Sequence, residues 1–375
     1  MSELRFKLGL LTNYLRIRLH YIGSDLFRLL PRVICFSYTH RCNLHCSMCA
    51  YEDPGVNKTF EEMPFNTIQS VFKKIKQSYK GLRYLPLICL TGGEPYIKPE
   101  INELLIFLNN LNLKIVLFTN GTLMNGQSIN TLLKLPNTSL VVSLDGCARV
   151  HDKVRNLQGS FDITTQNLGR LFVKGFPMNR MRLSYTISSL NFDCISEFME
   201  EIIGRGWKTP VEFLFLCYTT EESVKQLKKE GLRHFNYDNL TYRYAPTKLN
   251  LINIPVLIGQ IEKVKSMARK NNILVLFRPI MALSKLEEYY YAYDKYALTG
   301  RCFEPTRVIK IRPDGVVYPC NISLPIGNVV TQDMRDIYFS ERARRFRKIL
   351  QARLFPTCKR CSMLRYMVRN TSKIG

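Results

Sequence analysis

The stretch Ser37–Tyr51, SYTHRCNLHCSMCAY, places Cys42, Cys46 and Cys49 in a C-x3-C-x2-C array. Three thiolates this close together can each bind one iron of a cubic 4Fe-4S cluster, which leaves the fourth iron without a protein ligand. An iron with an open position can bind a small chelating molecule. A zinc site is the alternative, and it would need a fourth ligand, for which two histidines in the same stretch are the nearest candidates.

The composition indicates a cytosolic chain with a large core. Its 375 residues are 46% hydrophobic, enough for one barrel-sized domain and a smaller one. The 12 cysteines are not accompanied by the features of a signal peptide, so we expect cytoplasmic thiols that bind metal. The apolar N-terminal window is interrupted by charges such as Arg16 and Asp25, and no window predicts a membrane span.

The formal net charge of +24 favours anionic partners. Between Arg335 and Gly375 twelve Lys or Arg residues stand against two acidic ones. Nucleic acid, anionic lipid and phosphorylated substrates all fit such an excess, and so does a solvated basic surface. Residues 1–32 predict a basic amphipathic helix or helix pair that either lies on an anionic membrane face or packs against the core. Peripheral contact with the inner membrane face is therefore open, whereas nucleic acid is less favoured because no RNA-binding motif is recognisable.

From Val33 onward, strand-like runs alternate with helical runs, which is typical of βα units around a parallel sheet. The predicted fold class is α/β: a partial (β/α)6 TIM-like barrel with a small C-terminal β-hairpin plus helix extension. Because the chemistry of parallel α/β folds collects where strands end, the residues after each strand are the candidates. The barrel strands are expected at Val33–Tyr38, Leu85–Thr91, Lys114–Thr119, Ser139–Leu144, Arg182–Ile187 and Val211–Leu216.

Short polar motifs follow these strands. After the second strand, Gly92 and Gly93 would let the backbone approach a ligand, and the Glu94 carboxylate could accept hydrogen bonds from an ammonium group. The later strand ends carry T-N-G with Asn120, S-x-D-G and H-D-x-x-R. Ordinary turn and helix-cap chemistry is the alternative for several of these polar residues. The motif residues after the third, fourth and fifth strands are Asn120, Ser143, Asp145, His151, Asp152, Arg155, Thr186 and Asn191.

In this order, the cysteine array and the GGEP, TNG, S-x-DG and HD-x-x-R motifs resemble the signatures of radical S-adenosylmethionine (SAM) enzymes. The resemblance extends over about Val33 to Leu216. It implies that Cys42, Cys46 and Cys49 hold a 4Fe-4S cluster whose open iron binds SAM.

The resemblance also implies which residues contact SAM. Glu94 would hold the amino group, Ser143 would meet the ribose or nearby atoms, and Arg155 would pair with the carboxylate through its planar fork. Met48 stands where the family often has an aromatic residue beside adenine, so a thioether would make that contact. The full expected set is Met48, Gly92, Gly93, Glu94, Asn120, Ser143, Arg155 and Thr186.

A second group of cysteines follows residue 301. A Pro-Asp-Gly turn at 313–315 predicts a hairpin between Val308–Arg312 and Val316–Tyr318. Four cysteines can close a tetrahedral zinc site or ligate every iron of a second 4Fe-4S cluster. Their arrangement resembles the one-cluster "twitch" form of the SPASM extension, which implies an auxiliary 4Fe-4S cluster. The four are Cys302, Cys320, Cys358 and Cys361. The others are expected to be unreactive, small and apolar: Cys35, Cys89, Cys147, Cys194 and Cys217.

We therefore expect four segments: an N-terminal helical segment at 1–32, the radical SAM barrel at 33–217, a variable linker or substrate region at 218–300 and the auxiliary cluster domain at 301–375. In the third segment, five tyrosines between Tyr289 and Tyr296 could stack on a substrate, but a half-buried amphipathic helix is favoured.

The resemblance implies reductive cleavage of SAM to a 5′-deoxyadenosyl radical that abstracts hydrogen from a substrate. The auxiliary cluster is expected to accept an electron, and a reductant such as flavodoxin or ferredoxin to supply one. We predict a dehydrogenase-like oxidoreductase acting on a carbohydrate, cyclitol, glycan or lipid-linked small molecule. The alternatives are a peptide (RiPP) maturase, an RNA-modifying radical enzyme and a non-enzymatic metal-binding protein. The sequence singles out no catalytic acid or base.

Overall fold

The structure is a computed structural model that describes residues 29–49, 61–238, 252–292 and 301–362. Within these residues, ten strands form one sheet in the order β10-β9-β8-β1-β2-β3-β4-β5-β6-β7. The strands are β1 Val33–Ser37, β2 Leu87–Thr91, β3 Lys114–Thr119, β4 Thr138–Ser143, β5 Met181–Ile187, β6 Val211–Phe215, β7 Val275–Arg278, β8 Val308–Ile311, β9 Val316–Tyr318 and β10 Gly327–Asn328.

Helices connect the strands and cover one face of the sheet. The α-helices of the described residues are α1 Phe65–Ser78, α2 Ile101–Asn110, α3 Gly126–Leu133, α4 Ala148–Arg155, α5 Ser160–Val173, α6 Ile195–Gly204, α7 Glu221–Phe235, α8 Ile254–Lys270, α9 Leu286–Tyr291, α10 Glu304–Arg307, α11 Met334–Phe339 and α12 Glu341–Ala352. All neighbouring pairs from β1 to β7 are parallel, as expected when each connection includes a helix.

Side chains of the barrel strands alternate between two faces. On β1, Ile34 and Phe36 are fully buried, and Phe36 contacts Phe72 of α1 with ring centroids 5.3 Å apart. The helices therefore cover this outer face. Side chains in register on neighbouring parallel strands point to the same side of the sheet. The residues that alternate with Ile34 and Phe36, together with their in-register neighbours, therefore form the other surface of the sheet. We call this the inner face; it carries Cys35, Cys89, Ser139, Arg182, Ser184, Glu212 and Lys310.

The C-terminal segment extends the same sheet. β8 pairs in parallel with β1, with Cys35 beside Lys310, and β8 and β9 form the predicted antiparallel hairpin. Gly315 takes a φ of +83° in the hairpin turn, which a residue with a side chain rarely adopts. The α/β partial barrel with its C-terminal hairpin and helices is confirmed, and each of the six predicted barrel strands lies within two residues of its predicted bounds. The structure adds a seventh parallel strand, β7, beside β6.

Some expected features differ from the structure or lie outside it. The predicted amphipathic segment falls mostly in residues 1–28, outside the described residues. Of the tyrosine cluster, Tyr289 and Tyr290 of α9 are fully buried, which agrees with a packed helix. The polar helices α4 and α7 were not predicted. No helix of the described residues is long and apolar enough to cross a membrane.

Candidate functional site

The first three cysteines lie on the loop that follows β1, and main-chain hydrogen bonds fix that loop. Ser47 N donates to Val154 O of α4 at 2.9 Å, and Cys49 N donates to Cys46 O at 3.0 Å. Cys46 is buried, whereas Cys42 and Cys49 are half-buried. Burial chiefly raises the pKa of Cys42 to about 11, and the neighbouring cysteines act in the same direction. The three thiols thus share a site in which thiolates need a nearby cation.

Two glycines at the end of β2 allow this loop to approach closely. A Cβ added to Gly92 would lie 2.3 Å from Thr39 O, and one added to Gly93 would lie 2.1 Å from Arg41 O. Gly93 N donates to Thr39 O at 2.8 Å, and the next residue donates from its N to Arg41 O at 2.9 Å. The glycines therefore admit the backbone of the cysteine loop, which the sequence did not predict. Their approach to a ligand stays a prediction.

Glu94 joins the ends of β2 and β3. Its carboxylate accepts hydrogen bonds from Tyr96 N at 3.1 Å, Thr119 Oγ1 at 2.8 Å and Asn120 N at 2.7 Å. The side chain is 1% exposed, and burial raises its pKa to about 7 against the effect of these donors. A carboxylate has about four acceptor positions, so about one remains for an ammonium group. This geometry is compatible with the predicted role at the SAM amino group.

Asn120 ties the third strand end to the cysteine loop. Its Nδ2 donates to Asn43 Oδ1 at 3.0 Å, and Asn43 Nδ2 donates to Thr122 Oγ1 at 2.9 Å. Asn120 Oδ1 accepts from Thr122 N at 2.9 Å, which is ordinary turn chemistry. Asn43 lies between the first two cysteines and was missed, because an isolated asparagine beside a cysteine carries no recognisable signal.

Arg155 is positioned by a buried carboxylate beside the cysteine loop. Its Nη2 forms an ion pair with Asp145 Oδ2, and its Nη1 lies 3.6 Å from Cys46 Sγ. Asp145 Oδ1 also accepts from Thr186 N at 2.6 Å, which joins the fourth and fifth strand ends. Arg155 Nε is buried and has no hydrogen-bond partner among the described residues. This free donor fits the SAM carboxylate implied by the resemblance, and the pairing stays a prediction.

The two other polar residues of the H-D-x-x-R motif support this arrangement. His151 Nδ1 accepts from Asp145 N at 3.0 Å, and burial lowers the pKa of His151 to about 3. The ring is therefore neutral near pH 7 and can accept this hydrogen bond. Asp152 accepts from Gly159 N at 2.7 Å and from Phe161 N at 2.9 Å, so it holds the start of α5.

The remaining expected SAM contacts lie at the same edge of the sheet. Ser143 ends β4 in register with Ser184 of β5, and Thr186 lies two residues further along β5. Met48 packs against the hydrophobic core beside the cysteine loop. Asn191 is fully buried, and its Nδ2 donates to Asp145 O at 3.1 Å and to Thr186 O at 2.9 Å. Asn191 thus braces this edge, and the SAM contacts of the other three stay predictions.

The four C-terminal cysteines line one cavity, whose wall also contains Lys310 and Asn321. Cys302 N donates to Leu350 O of α12 at 3.1 Å. Burial raises the pKa of Cys320 to about 12. Buried thiolates facing a common cavity suit a group that neutralises them, as a metal cluster does. Within the described ranges, no three His, Cys, Asp or Glu side chains are arranged to hold a single metal ion.

Two further residues lie beside this cavity, and their position there was not predicted from the sequence. Cys217, at the end of β6, accepts from Ser362 N at 2.9 Å and lies near Cys361, so it is not an isolated core cysteine. Lys310 Nζ donates to Asn321 Oδ1, while its position in β8 places it on the inner face beside Cys35. The cavity of the four cysteines therefore borders the barrel interior.

Comparison with known families identifies the chain. The profile of the radical SAM superfamily matches residues 36–202, and that of SPASM, an iron–sulfur cluster-binding domain, matches residues 302–362. The chain therefore carries a radical SAM domain followed by a C-terminal SPASM domain, as the sequence motifs predicted. Its cofactors are SAM, a SAM-binding 4Fe-4S cluster and an auxiliary 4Fe-4S cluster, as predicted.

Particular relatives differ in how much of the chain they share. The chain is 26% identical over 332 residues to the AdoMet-dependent heme synthase of Methanosarcina barkeri, which covers 85% of this chain and 84% of that protein. It is 29% identical over 188 residues to the sporulation killing factor maturation protein SkfB of Bacillus subtilis, covering 50% of this chain and 43% of that protein. The structure of Streptococcus suis SuiB bound to S-adenosylmethionine shares the fold, with a TM-score of 0.62, 15% identity and coverage of 92% of this chain and 76% of SuiB.

Proposed function

We propose that this protein is a radical SAM oxidoreductase that abstracts a hydrogen atom from a substrate held in the barrel interior. The observation that carries the proposal is the convergence of the cysteine loop with the ends of β2, β3 and β4. Main-chain hydrogen bonds join the loop to Gly93 and Glu94, and side chains join it to Asn120 and Arg155. Such convergence supports the predicted cluster and SAM contacts, because each needs several strand ends at one place.

When bound, the 4Fe-4S cluster and SAM supply reductive cleavage of SAM to methionine and a 5′-deoxyadenosyl radical. The residues of this chain provide position and charge. We propose that Cys42, Cys46 and Cys49 hold the cluster, that Glu94 accepts a hydrogen bond from the SAM ammonium group, and that Arg155 Nε–H donates to the SAM carboxylate. Asp145 keeps the Arg155 guanidinium in place and ionised.

The auxiliary site supports an oxidative reaction. We propose that its ligands are the four cysteines around the C-terminal cavity, which would leave no iron open for substrate. A centre with all positions ligated is suited to electron transfer. Since Lys310 borders both the cavity and the inner face, this second redox centre adjoins the proposed substrate space. The dehydrogenase-like outcome is part of the proposal.

For the substrate, the comparisons favour other classes than the one predicted from sequence. The two relatives reported above are named for heme synthesis and for maturation of a peptide, and neither name supports a carbohydrate or lipid-linked substrate. The heme synthase likeness extends over most of both chains, which favours a compact small molecule. A peptide is the second candidate, favoured by the likeness to SkfB over half of this chain.

The proposed partners are a reductant, such as flavodoxin or ferredoxin, and the substrate. The predicted contact with an anionic membrane rests on the basic N-terminal segment, which lies outside the described residues, and nothing further supports it. RNA modification likewise rests on the net charge of +24 alone.

Formation of 5′-deoxyadenosine tests the proposal. Protein reconstituted anaerobically with iron and sulfide is incubated with SAM and dithionite, and 5′-deoxyadenosine is measured by chromatography. We expect product from the unaltered protein and from the control Cys147→Ala, whose thiol lies at neither cysteine site. Cys46→Ala should reduce it at least a hundredfold. Equal product from Cys46→Ala, or none from the unaltered protein, would contradict the proposal.

A further inference from the structure

The inner face of the barrel carries a charged cluster that SAM binding does not require. Arg182 of β5 and Arg278 of β7 lie on either side of Glu212 of β6. Arg182 Nε lies 3.1 Å from Glu212 Oε2, and Arg278 Nε contacts Glu212 Oε1. The carboxylate side chain is 8% exposed, whereas the two arginine side chains are 32% and 29% exposed. One carboxylate thus forms ion pairs with two guanidinium groups, and both arginine side chains remain partly exposed.

Other charges on this face increase the positive excess. Cys35 and Cys89 are in register on β1 and β2, and the Cys89 thiol lowers the pKa of Cys35. Lys310 and Arg307 both lie close enough to act on Cys35, and Arg182 acts on Cys89 from the opposite side of the barrel. Arg307 pairs with Glu304 at 3.0 Å. The residues around this space are four cations and two carboxylates: Arg182, Arg278, Arg307, Lys310, Glu212 and Glu304.

The cluster lies on strands that lead to the expected SAM edge. Arg182, Ser184 and Thr186 alternate along one face of β5, and Thr186 lies at the edge where SAM is expected. Glu212, whose carboxylate contacts both arginines, is in register with Ser184, two residues or about 7 Å along the strand from Thr186. Arg278 begins level with Thr186 and Arg182 lies four residues away from it, so the two guanidinium groups meet at the level of Glu212. A compact substrate can bridge this distance, with one end among the arginines and the other near SAM.

We propose that Arg182 and Arg278 form an anion subsite inside the barrel that binds a carboxylate group of the substrate. A guanidinium fork matches a carboxylate with two parallel hydrogen bonds, and Glu212 holds both forks in position. The subsite deepens the proposed function, on which it rests, by defining the substrate as a carboxylic acid. Neutral analogues of the substrate should bind more weakly at this subsite, because a partly buried arginine loses hydrogen bonds to water when an uncharged group fills the space.

Alkylation of Cys35 reports on this space without SAM. Protein loaded with both clusters is treated in separate samples with iodoacetate and with iodoacetamide, which differ in charge, and the labelled Cys35 peptide is quantified by mass spectrometry. Cys35 is half-buried, and its pKa is lowered by the neighbouring Cys89 thiol, helped by the positive charges of Lys310 and Arg307. We expect the iodoacetate-to-iodoacetamide rate ratio to fall about fivefold in Arg182→Gln/Arg278→Gln. Arg170→Gln, on the exposed surface of α5, should leave the ratio unchanged.

Competition then identifies the ligand. Glutarate should slow labelling of Cys35 by iodoacetamide in the unaltered protein and in Arg182→Lys, but not in the double glutamine variant. Glu212→Gln should strengthen the protection, because both arginines lose their internal anion, whereas a purely structural ion pair would not respond in this direction. Inorganic phosphate and the neutral compound glutaramide are run in parallel.

Three results would overturn the subsite. Equal protection by glutaramide and glutarate would mean that the space does not distinguish an anion from a neutral analogue. Protection by phosphate alone would mean that the recognised group of the substrate is a phosphate. Failure of Cys35 to react with either reagent means that small anions cannot enter. Because no reading depends on cleavage of SAM, loss of 5′-deoxyadenosine formation would count against the proposed function and leave these measurements intact.

Discussion

At the scale of single residues, burial decides which protonation state each polar side chain of the site holds. Glu94 is buried with three donors, and its pKa still rises to about 7. Asp145 is fully buried, and burial raises its pKa although Arg155 acts in the opposite direction. Both carboxylates therefore depend on cationic or hydrogen-bonding neighbours to stay charged. An ammonium group beside Glu94 would favour its charged form, which supports the proposed contact with the SAM amino group.

His151 makes stability depend on pH. Its pKa of about 3 in the folded protein lies below the ordinary value of 6.5, so the unfolded chain binds more protons below pH 6.5. The His151 contribution to folding is present above pH 6.5 and is lost as the pH falls toward 3. Between pH 6.5 and 5.5 we expect it to lower the free energy of unfolding by about 1 kcal/mol. The free energy of unfolding is measured by urea titration at several pH values. In His151→Asn, which keeps an acceptor for Asp145 N, its decrease between pH 6.5 and 5.5 should be about 1 kcal/mol smaller than in the unaltered protein. An equal decrease in both proteins would contradict the prediction.

At the scale of elements, the cysteine loop is held by contacts that leave no room for a side chain at Gly93. An added Cβ would lie 2.1 Å from Arg41 O, and a backbone atom cannot swing away as a flexible side chain can. The position of the cysteine loop therefore depends on a glycine two residues after β2.

Gly93→Ala should displace the cysteine loop and empty the first cluster site. We expect iron after anaerobic reconstitution to fall from about eight to about four per chain, since each 4Fe-4S cluster holds four irons. Gly169→Ala is the matched control, because its added Cβ meets nothing within 4 Å in the middle of α5. The control should retain all its iron and gain up to about 1 kcal/mol of stability. Full iron content in Gly93→Ala would show that the loop can adjust.

The elements that could be predicted from the sequence are those with a clear pattern of apolar side chains. The barrel strands have continuous or alternating apolar residues, and their bounds were predicted closely. The helix α4, with the sequence ARVHDKVR, was not predicted because polar residues obscure its apolar period. The strand-end motifs pointed to one edge of the sheet, where the structure brings them together with the cysteine loop, but their SAM contacts stay predictions. The Arg182–Glu212–Arg278 cluster could not be predicted. Its three residues are far apart in sequence, and only the pairing of β5, β6 and β7 shows that they face the same space.

At the scale of the whole molecule, one sheet connects the cysteine loop after β1 with the cavity of the four C-terminal cysteines. The four C-terminal cysteines were predicted as a set by their resemblance to a known extension, and the structure places them around one cavity. Their position against the barrel interior was not predicted, since it depends on the parallel pairing of β8 with β1. Zinc and an iron cluster were both open from the residues alone, and the SPASM match resolves this in favour of iron and sulfur.

Replacing one of the four C-terminal cysteines should remove the auxiliary cluster and leave the first cluster in place. In Cys320→Ala we expect iron to fall from about eight to about four per chain, while the cysteine loop keeps its own cluster. Cys194→Ala, which removes a buried thiol distant in sequence from both sets, is the control and should retain about eight. Iron and zinc are measured together by mass spectrometry. About four irons and one zinc in the unaltered protein would contradict the assignment of the second site.

The pairing of β8 with β1 also affects how the chain reaches its native state. Val308 lies 275 residues after Val33, its partner in the sheet. During synthesis, β1 therefore has its β2 partner early but presents an unpaired edge until almost the entire chain has left the ribosome. Closing this long-range contact is entropically costly and slow. We therefore expect the pairing of β8 with β1, and with it the cavity of the four cysteines, to form late in folding, and we expect a chain truncated before β8 to expose an edge open to aggregation.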